Sequence, residues 1–214
     1  MIVRVWNIAM RAKLGRVIVA CSDIEIAEVI KHEGGEAVLT NPNLPSGSDR
    51  IFEALQKTDP SKNHDAIINI QGDLPILEKT TIVAAYNLLQ NKNVDIGTVA
   101  AKILTEEERS AQSVVKAVVA WDSSGERGKA LYFTRAAAPT GDGAMFHHIG
   151  LYAYQRHALE RFVTLPTSPL EEQERLEQLR ALENDMRIEV ALVDTVPFGV
   201  DTPEDLEKAQ TIVK

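Results

Sequence analysis

The chain has 214 residues, of which 44% are hydrophobic and 25% charged, enough apolar material for one compact domain with a sizeable core. Its formal net charge of -8 argues against a duplex nucleic-acid binder, whose phosphate contacts need a basic surface, so an anionic ligand would require locally placed Arg, Lys or metal. A single cysteine, Cys21, forbids an intrachain disulfide and reads as a small buried residue; with no bilayer-length apolar run and no basic-then-apolar leader, a cytoplasmic protein without membrane insertion is expected.

Met1 opens directly into Ile2, Val3, Val5, Trp6 and Ile8, a helical apolar pattern with no capping residue before it and no preceding strand, so a first βα unit is expected to be absent. Residues 16–20 then read as a strand and 24–32 as a helix, and the pair recurs at 66–70 and 80–90. This alternation predicts an α/β fold with a mainly parallel sheet flanked by helices. Further strands are predicted at 95–103, 114–121, 130–134, 148–154 and 187–193, with residues 122–128 as a hairpin loop. No repeat or long Gly/Ser/Pro linker interrupts the chain, so residues 1–214 read as a single domain.

The clearest chemical signal is Gln71-Gly72-Asp73-Leu74-Pro75, directly after the strand at 66–70, where α/β folds place ligands beyond the carboxyl ends of strands. Gly72 permits close backbone approach and Pro75 stiffens the exit, so Asp73 is either a carboxylate held for a hard cation or an acid satisfying its own turn. A second acidic turn, Gly199-Val200-Asp201-Thr202-Pro203-Glu204-Asp205, precedes the last helix. Thr202, Pro203 and Asp205 read as cap, first helical residue and capping-box acid, which leaves Asp201 outside the cap, either solvated or free to join Asp73 on a metal.

In Pro45-Ser46-Gly47-Ser48-Asp49-Arg50, small residues open a helix whose N–H groups, with Arg50, could hold ribose, base or phosphate; the alternative is an ordinary loop with Ser48 as cap. Ser168-Pro169-Leu170-Glu171 is another capping box, which makes Glu171 structural. In the helix expected to follow, Leu176, Leu179 and Leu182 form one stripe, while Glu174, Glu177 and Gln178 lie opposite, solvated unless a cleft faces them. His148 opens the strand His148-Ile149-Gly150-Leu151-Tyr152 and reads as a hydrogen-bonded structural residue or a ligand contact. No zinc-ligand spacing and no nucleophile elbow is present.

Taken in order, Ser46-Gly47-Ser48-Asp49-Arg50, Gln71-Gly72-Asp73-Leu74-Pro75, Ala130-Leu131-Tyr132-Phe133-Thr134-Arg135, His148-Ile149-Gly150-Leu151-Tyr152, Ser168-Pro169-Leu170-Glu171, Leu176-Glu177-Gln178-Leu179-Arg180 and Val200-Asp201-Thr202-Pro203-Glu204-Asp205-Leu206 resemble the 3-deoxy-manno-octulosonate cytidylyltransferases, across the whole chain. The resemblance implies a Rossmann-like nucleotidyltransferase fold, a homodimer, CTP and 3-deoxy-D-manno-oct-2-ulosonate (Kdo) as substrates, Mg2+ as cofactor, and a place in lipopolysaccharide biosynthesis. It further implies that Asp73 and Asp201 are the catalytic pair holding magnesium. Ser46, Gly47 and Arg50 would lie on the nucleotide side, and Gln71, Arg135, His148, Glu177 and Gln178 would contact Kdo, with Lys116 near the same cleft.

Family members begin with a strand and a Gly/Arg/Lys-rich phosphate loop, and this chain opens where that segment ends, so the expected domain lacks both. The family's Thr-Asp after the first strand reads Cys21-Ser22 here, and Ala138-Pro139-Thr140-Gly141-Asp142-Gly143 lacks the basic residues many relatives carry. Two alternatives stay open: a cytidylyltransferase for another sugar acid, such as a sialic acid, or a catalytically dead dimeric binding module.

Overall fold

The computed structural model describes residues 1–200 and 202–212. In chain order the elements are α1 (Ile2–Ala12), β1 (Ile18–Cys21), α2 (Ile24–His32), β2 (Glu36–Leu39), α3 (Gly47–Thr58), β3 (Ala66–Asn69), α4 (Lys79–Leu88), β4 (Ile96–Lys102) and α5 (Glu106–Ser110). They continue with β5 (Lys116–Trp121), β6 (Arg127–Thr134), β7 (Phe146–Gln155), α6 (Arg156–Phe162), α7 (Pro169–Glu174), α8 (Gln178–Glu183), β8 (Ile188–Val193) and α9 (Pro203–Ile212). The chain divides into two compact units. Unit 1 comprises Met1–Asp65, Asn69–Val83 and the described part of Pro197–Lys214; unit 2 comprises Ala66–Ile68 and Ala84–Val196.

Unit 1 is built on a short parallel pair. β1 and β2 align in register from Ile18 opposite Glu36 to Cys21 opposite Leu39. Val19, Cys21, Ala27 and Ile30 form a small core, against which Ile2, Val3, Trp6, Ile26 and Ala37 pack, so Cys21 is the buried small residue expected. The apolar face of α1 therefore has a partner, although no side chain caps its start at Met1. Gly35 is required where the chain leaves α2, because a Cβ there would lie 2.8 Å from Ile30 Cγ2 and 2.9 Å from Trp6 Cε2.

Unit 2 holds a six-stranded sheet in the order β3-β7-β4-β8-β6-β5, with β5 also bonded to β7. The expected mainly parallel sheet needs correcting here. β4 runs parallel to β8, but β4/β7, β5/β6, β5/β7 and β6/β8 are antiparallel. For β5/β6 the cause is the tight connection: the Asp122 carboxylate accepts from the Ser124 and Gly125 N–H groups at 3.0 and 3.1 Å, and Gly125 takes φ 74°. A turn that short can only return a strand antiparallel, whereas a parallel return needs a crossover. The middle of the sheet is buried, with six of the seven residues of β4 inaccessible and Phe133, Leu151, Tyr154 and Ile188 sealed from solvent beside Phe162 of α6 and Leu179 of α8, whereas β5 and β6 carry exposed residues such as Leu131.

The predicted helix following Ser168 is broken. Arg175 adopts φ 56°, a left-handed conformation that ends α7, and α8 starts afresh at Gln178. The single-helix wheel that put Glu174, Glu177 and Gln178 on one solvated face therefore does not apply.

Candidate active site

In unit 1 the candidates gather at the start of α3 and the turn after β3. Ser46 is extended and caps α3, its Oγ accepting from the Asp49 N–H at 3.2 Å and donating to Asp49 Oδ2 at 2.7 Å. The capping role considered for Ser48 thus belongs to Ser46, and Ser48 is buried. Arg50, one turn into the helix, donates from Nη1 to Thr40 Oγ1 at 2.6 Å, and Thr40 is itself bonded to the Cys21 carbonyl at the end of β1. The guanidinium is thus hydrogen-bonded by neutral oxygens, with the Glu53 carboxylate near enough for its own pKa to be lowered first by Lys57 and the Asn41 N–H and in part by Arg50.

Gly47 faces two amide side chains. A Cβ on it would stand 3.3 Å from Gln71 Nε2 and 3.8 Å from Asn69 Nδ2, so the missing side chain lets the α3 start approach the strand-end amides. Gln71, expected on the Kdo side, is thereby set beside the residue expected on the nucleotide side. Asn69 is absent from the sequence-based set. It is 3% exposed, and its Nδ2 meets no partner among the described residues. Strand alternation carries the missed signal: residues two apart share a face, so Asn69 follows Gln71.

The turn carrying Asp73 is pinned from two sides within unit 1. The Asp73 carbonyl accepts from the Val200 N–H at 2.9 Å, and the Pro75 carbonyl from Arg4 Nε at 2.6 Å. Val200 immediately precedes Asp201, which lies outside the described residues. Past it, Thr202 and Asp205 form the expected cap, with Asp205 N donating to Thr202 Oγ1 at 3.2 Å and Thr202 Oγ1 to Asp205 Oδ2 at 2.8 Å. Among the described residues no group of three or more His, Cys, Asp or Glu side chains could hold a metal. A cleft of about 650 Å³ in unit 1, between α1 and residues 76–80, is lined by none of the expected site residues, so size alone does not locate the chemistry.

In unit 2, Arg135 follows β6. Its Nε donates to the Glu174 carbonyl at 3.0 Å and its Nη1 to the Gln112 carbonyl at 3.1 Å. Lys116, fully buried at the start of β5, donates to the Arg135 carbonyl at 3.2 Å.

His148 is enclosed, with Nε2 3.0 Å from Thr98 Oγ1 and its ring 4.7 Å from that of Phe133 and 5.5 Å from that of Tyr152. Burial, then the neighbouring His147, pushes its pKa down to about 3, so the imidazole is neutral at physiological pH and acts as a hydrogen-bonding group, not a cation.

The break at Arg175 gives Glu177 and Gln178 different surroundings from a continuous helix. Glu177 starts α8. Gln178 is 4% exposed, and its Nε2 has no partner among the described residues. Burial, followed by Tyr154 and the Glu177 charge, holds the Tyr152 phenol well above its ordinary range. The α7–α8 corner is fixed by Glu171, which accepts from Arg180 Nε at 2.7 Å and from the Ser168 N–H at 3.1 Å; Glu171 is structural, as expected. Glu174, expected with Glu177 and Gln178 on a face that is solvated unless a cleft meets it, accepts from Thr134 Oγ1 and the Arg135 N–H. No helix among the described residues is long and apolar enough to cross a membrane.

The family model described as cytidylyltransferase matches residues 1–188. A 3-deoxy-manno-octulosonate cytidylyltransferase of Parvibaculum lavamentivorans is 59% identical over 98% of this chain and 81% of its own, and one of Paramagnetospirillum magneticum is 53% identical over 100% and 87%. Among solved structures, a CMP:2-keto-3-deoxy-manno-octonic acid synthetase complexed with CTP superposes with a TM-score of 0.89 at 30% identity, covering 99% of this chain and 86% of that one. A 4-diphosphocytidyl-2C-methyl-D-erythritol synthase of Anaerococcus prevotii matches with a TM-score of 0.63 at 14% identity, a likeness of fold alone. With the α/β nucleotidyltransferase fold and the ordered motifs found together in one chain, this protein belongs to the 3-deoxy-manno-octulosonate cytidylyltransferase family of nucleotidyltransferases.

Proposed function

We propose that this chain transfers CMP from CTP to Kdo, giving CMP-Kdo and pyrophosphate, with Mg2+ bound by Asp73 and Asp201, and that it works as a cytoplasmic homodimer. The observation that carries the reading is the 59% identity over 98% of the chain to a relative named for this reaction. The site chemistry agrees with it. In-line attack of an anomeric hydroxyl on the α-phosphorus needs placement and charge more than a protein nucleophile. Ser46, Gly47 and Arg50 supply a helix start, a close-approach glycine and a cation to a nucleotide; Arg135, His148, Glu177 and Gln178 supply charge and hydrogen bonds to a hydroxylated acid. When bound, Mg2+ neutralises phosphate charge and lowers the pKa of the attacking hydroxyl, which removes the need for a histidine base. His148, neutral and bonded to Thr98, is consistent with that division of labour.

The test is pyrophosphate release by the purified chain with CTP, Mg2+ and either Kdo or N-acetylneuraminate. Turnover that needs Mg2+ and Kdo is expected. Faster turnover with the sialic acid would reassign the acceptor, and CTP binding with no turnover on either acid would favour the binding-module alternative.

A further inference from the structure

The partners of Arg135 are unusual for a partly buried arginine, because those of its guanidinium are neutral. Nε and Nη1 end on the carbonyls of Glu174 and Gln112, and among the described residues no carboxylate forms an ion pair with the group. The Glu174 carboxylate is close in sequence to those contacts yet is engaged elsewhere. Its Oε2 accepts from the Arg135 backbone N–H at 2.9 Å and its Oε1 from the Thr134 hydroxyl at 2.7 Å. Glu174 therefore grips the end of β6 with its side chain and steers the guanidinium with its carbonyl, without neutralising it. Nη2, part of the fork that pairs with carboxylates, meets no partner among the described residues.

Lys116 completes the support. Its ammonium, 0% exposed, donates to the carbonyls of Ala111 at 2.6 Å, Val114 at 2.8 Å and Arg135 at 3.2 Å. Those three bonds occupy all its donors and tie the 111–114 turn, which carries the Gln112 carbonyl, to the Arg135 backbone. Burial pushes the ammonium below the usual lysine range, so the arrangement persists only because the hydrogen bonds offset the desolvation.

We propose that Glu174 and Lys116 are positioning residues that hold Arg135 rigid and electrically uncompensated for the carboxylate of the sugar acid. An arginine already paired to an acid would offer a carboxylate little net attraction, whereas one propped on carbonyls keeps its charge and loses less entropy on binding. The inference rests on the reading of Arg135 as a Kdo contact.

A double-mutant cycle separates the inference from that reading, using pyrophosphate release to obtain KM for Kdo and for CTP. Arg135→Ala should raise the Kdo KM at least about tenfold, and Glu174→Gln about tenfold, each leaving the CTP KM within about twofold. In the Arg135→Ala background, Glu174→Gln should add less than about twofold, because its effect passes through the arginine. An Arg135→Ala protein with an unchanged Kdo KM would overturn the Kdo reading and the inference with it. A raised Kdo KM in Arg135→Ala, but an undiminished Glu174→Gln effect in the double variant or equal losses for both substrates, would overturn the inference alone. Should Glu174→Gln fail to fold, Lys116→Met, which keeps the apolar stem and removes the ammonium, takes its place in the cycle, and the same outcomes support or overturn the inference.

Discussion

Unit 1 and unit 2 solve the placement of polar groups in opposite ways. Unit 1 has four-residue strands, a core of small and medium side chains around Val19 and Ile30, and candidates that sit at element ends: a helix cap, a glycine and a turn aspartate. Unit 2 buries His148 inside a sheet packed with aromatic rings, from Phe133 through His148 and Tyr152 to Tyr154 and Phe162, and buries Gln178 at the start of α8, while Arg135 and Glu177 are half-buried. Backbone and loop groups can adapt to a flexible triphosphate. Groups fixed in a packed interior can discriminate, because a wrong ligand leaves them unpaired. The contrast predicts that damage to unit 2 appears first as lost stability and damage to the unit 1 turn as lost turnover.

The largest effect tests the packing half of that contrast. Phe133 is sealed and its ring abuts His148, so Phe133→Ala should destabilise the protein by about 3–5 kcal/mol in urea unfolding. A loss below about 1 kcal/mol would mean that the aromatic series is not what holds unit 2.

Next comes Asp73, whose turn is pinned by backbone bonds to Val200 and through Pro75 to Arg4. Because those bonds use main-chain carbonyls, Asp73→Asn should keep them and the fold while Mg2+-dependent turnover falls at least about a hundredfold. Wild-type turnover in that variant would remove Asp73 from the site; a collapsed melting temperature would make its carboxylate structural.

The smallest effect near neutral pH belongs to His148 and tests whether its ring is closed to water. His148 has a folded pKa of about 3, against about 6.5 for an exposed histidine, so it is neutral in both states above pH 6.5 and contributes no pH dependence there. As pH falls below about 6.5, the unfolded state takes up the proton first and stability drops, by up to about 1.4 kcal/mol per pH unit until the folded pKa is reached. His148→Gln should flatten that part of the profile relative to wild type. Superimposable slopes would show that the ring titrates normally and reaches solvent.

In both units, what was legible in the sequence rested on local signals. The Thr202/Asp205 cap, the Ser168/Glu171 pair and the helix at Ile24–His32 each depend on residues within a few positions of one another, where side chain and backbone meet whatever the rest of the chain does. The turn at Gln71-Gly72-Asp73 was readable for the same reason. Asn69 was passed over since a polar residue in a strand looks unremarkable until the glycine it faces, 22 positions away by numbering, is brought beside it. Strand direction failed differently: apolar runs specify strands and burial but not direction, which the short turn at Asp122 set for β5/β6 and the fold set for the non-consecutive pairs β4/β7 and β6/β8.

What the sequence by itself determined was most of the elements, though not β2, α5 or α6, together with several caps and the ordered motifs that mark the family, because these are short-range consequences of residue type. The tertiary structure alone decided that Glu174 serves Arg135 across 39 positions, that His148 lies neutral against Thr98 across 50, and that Arg175 breaks a helix whose pattern had read as continuous. Each of those depends on which distant groups share a dry interior. There a polar atom must find a partner, and the partner is chosen by the fold, not by the neighbouring residues.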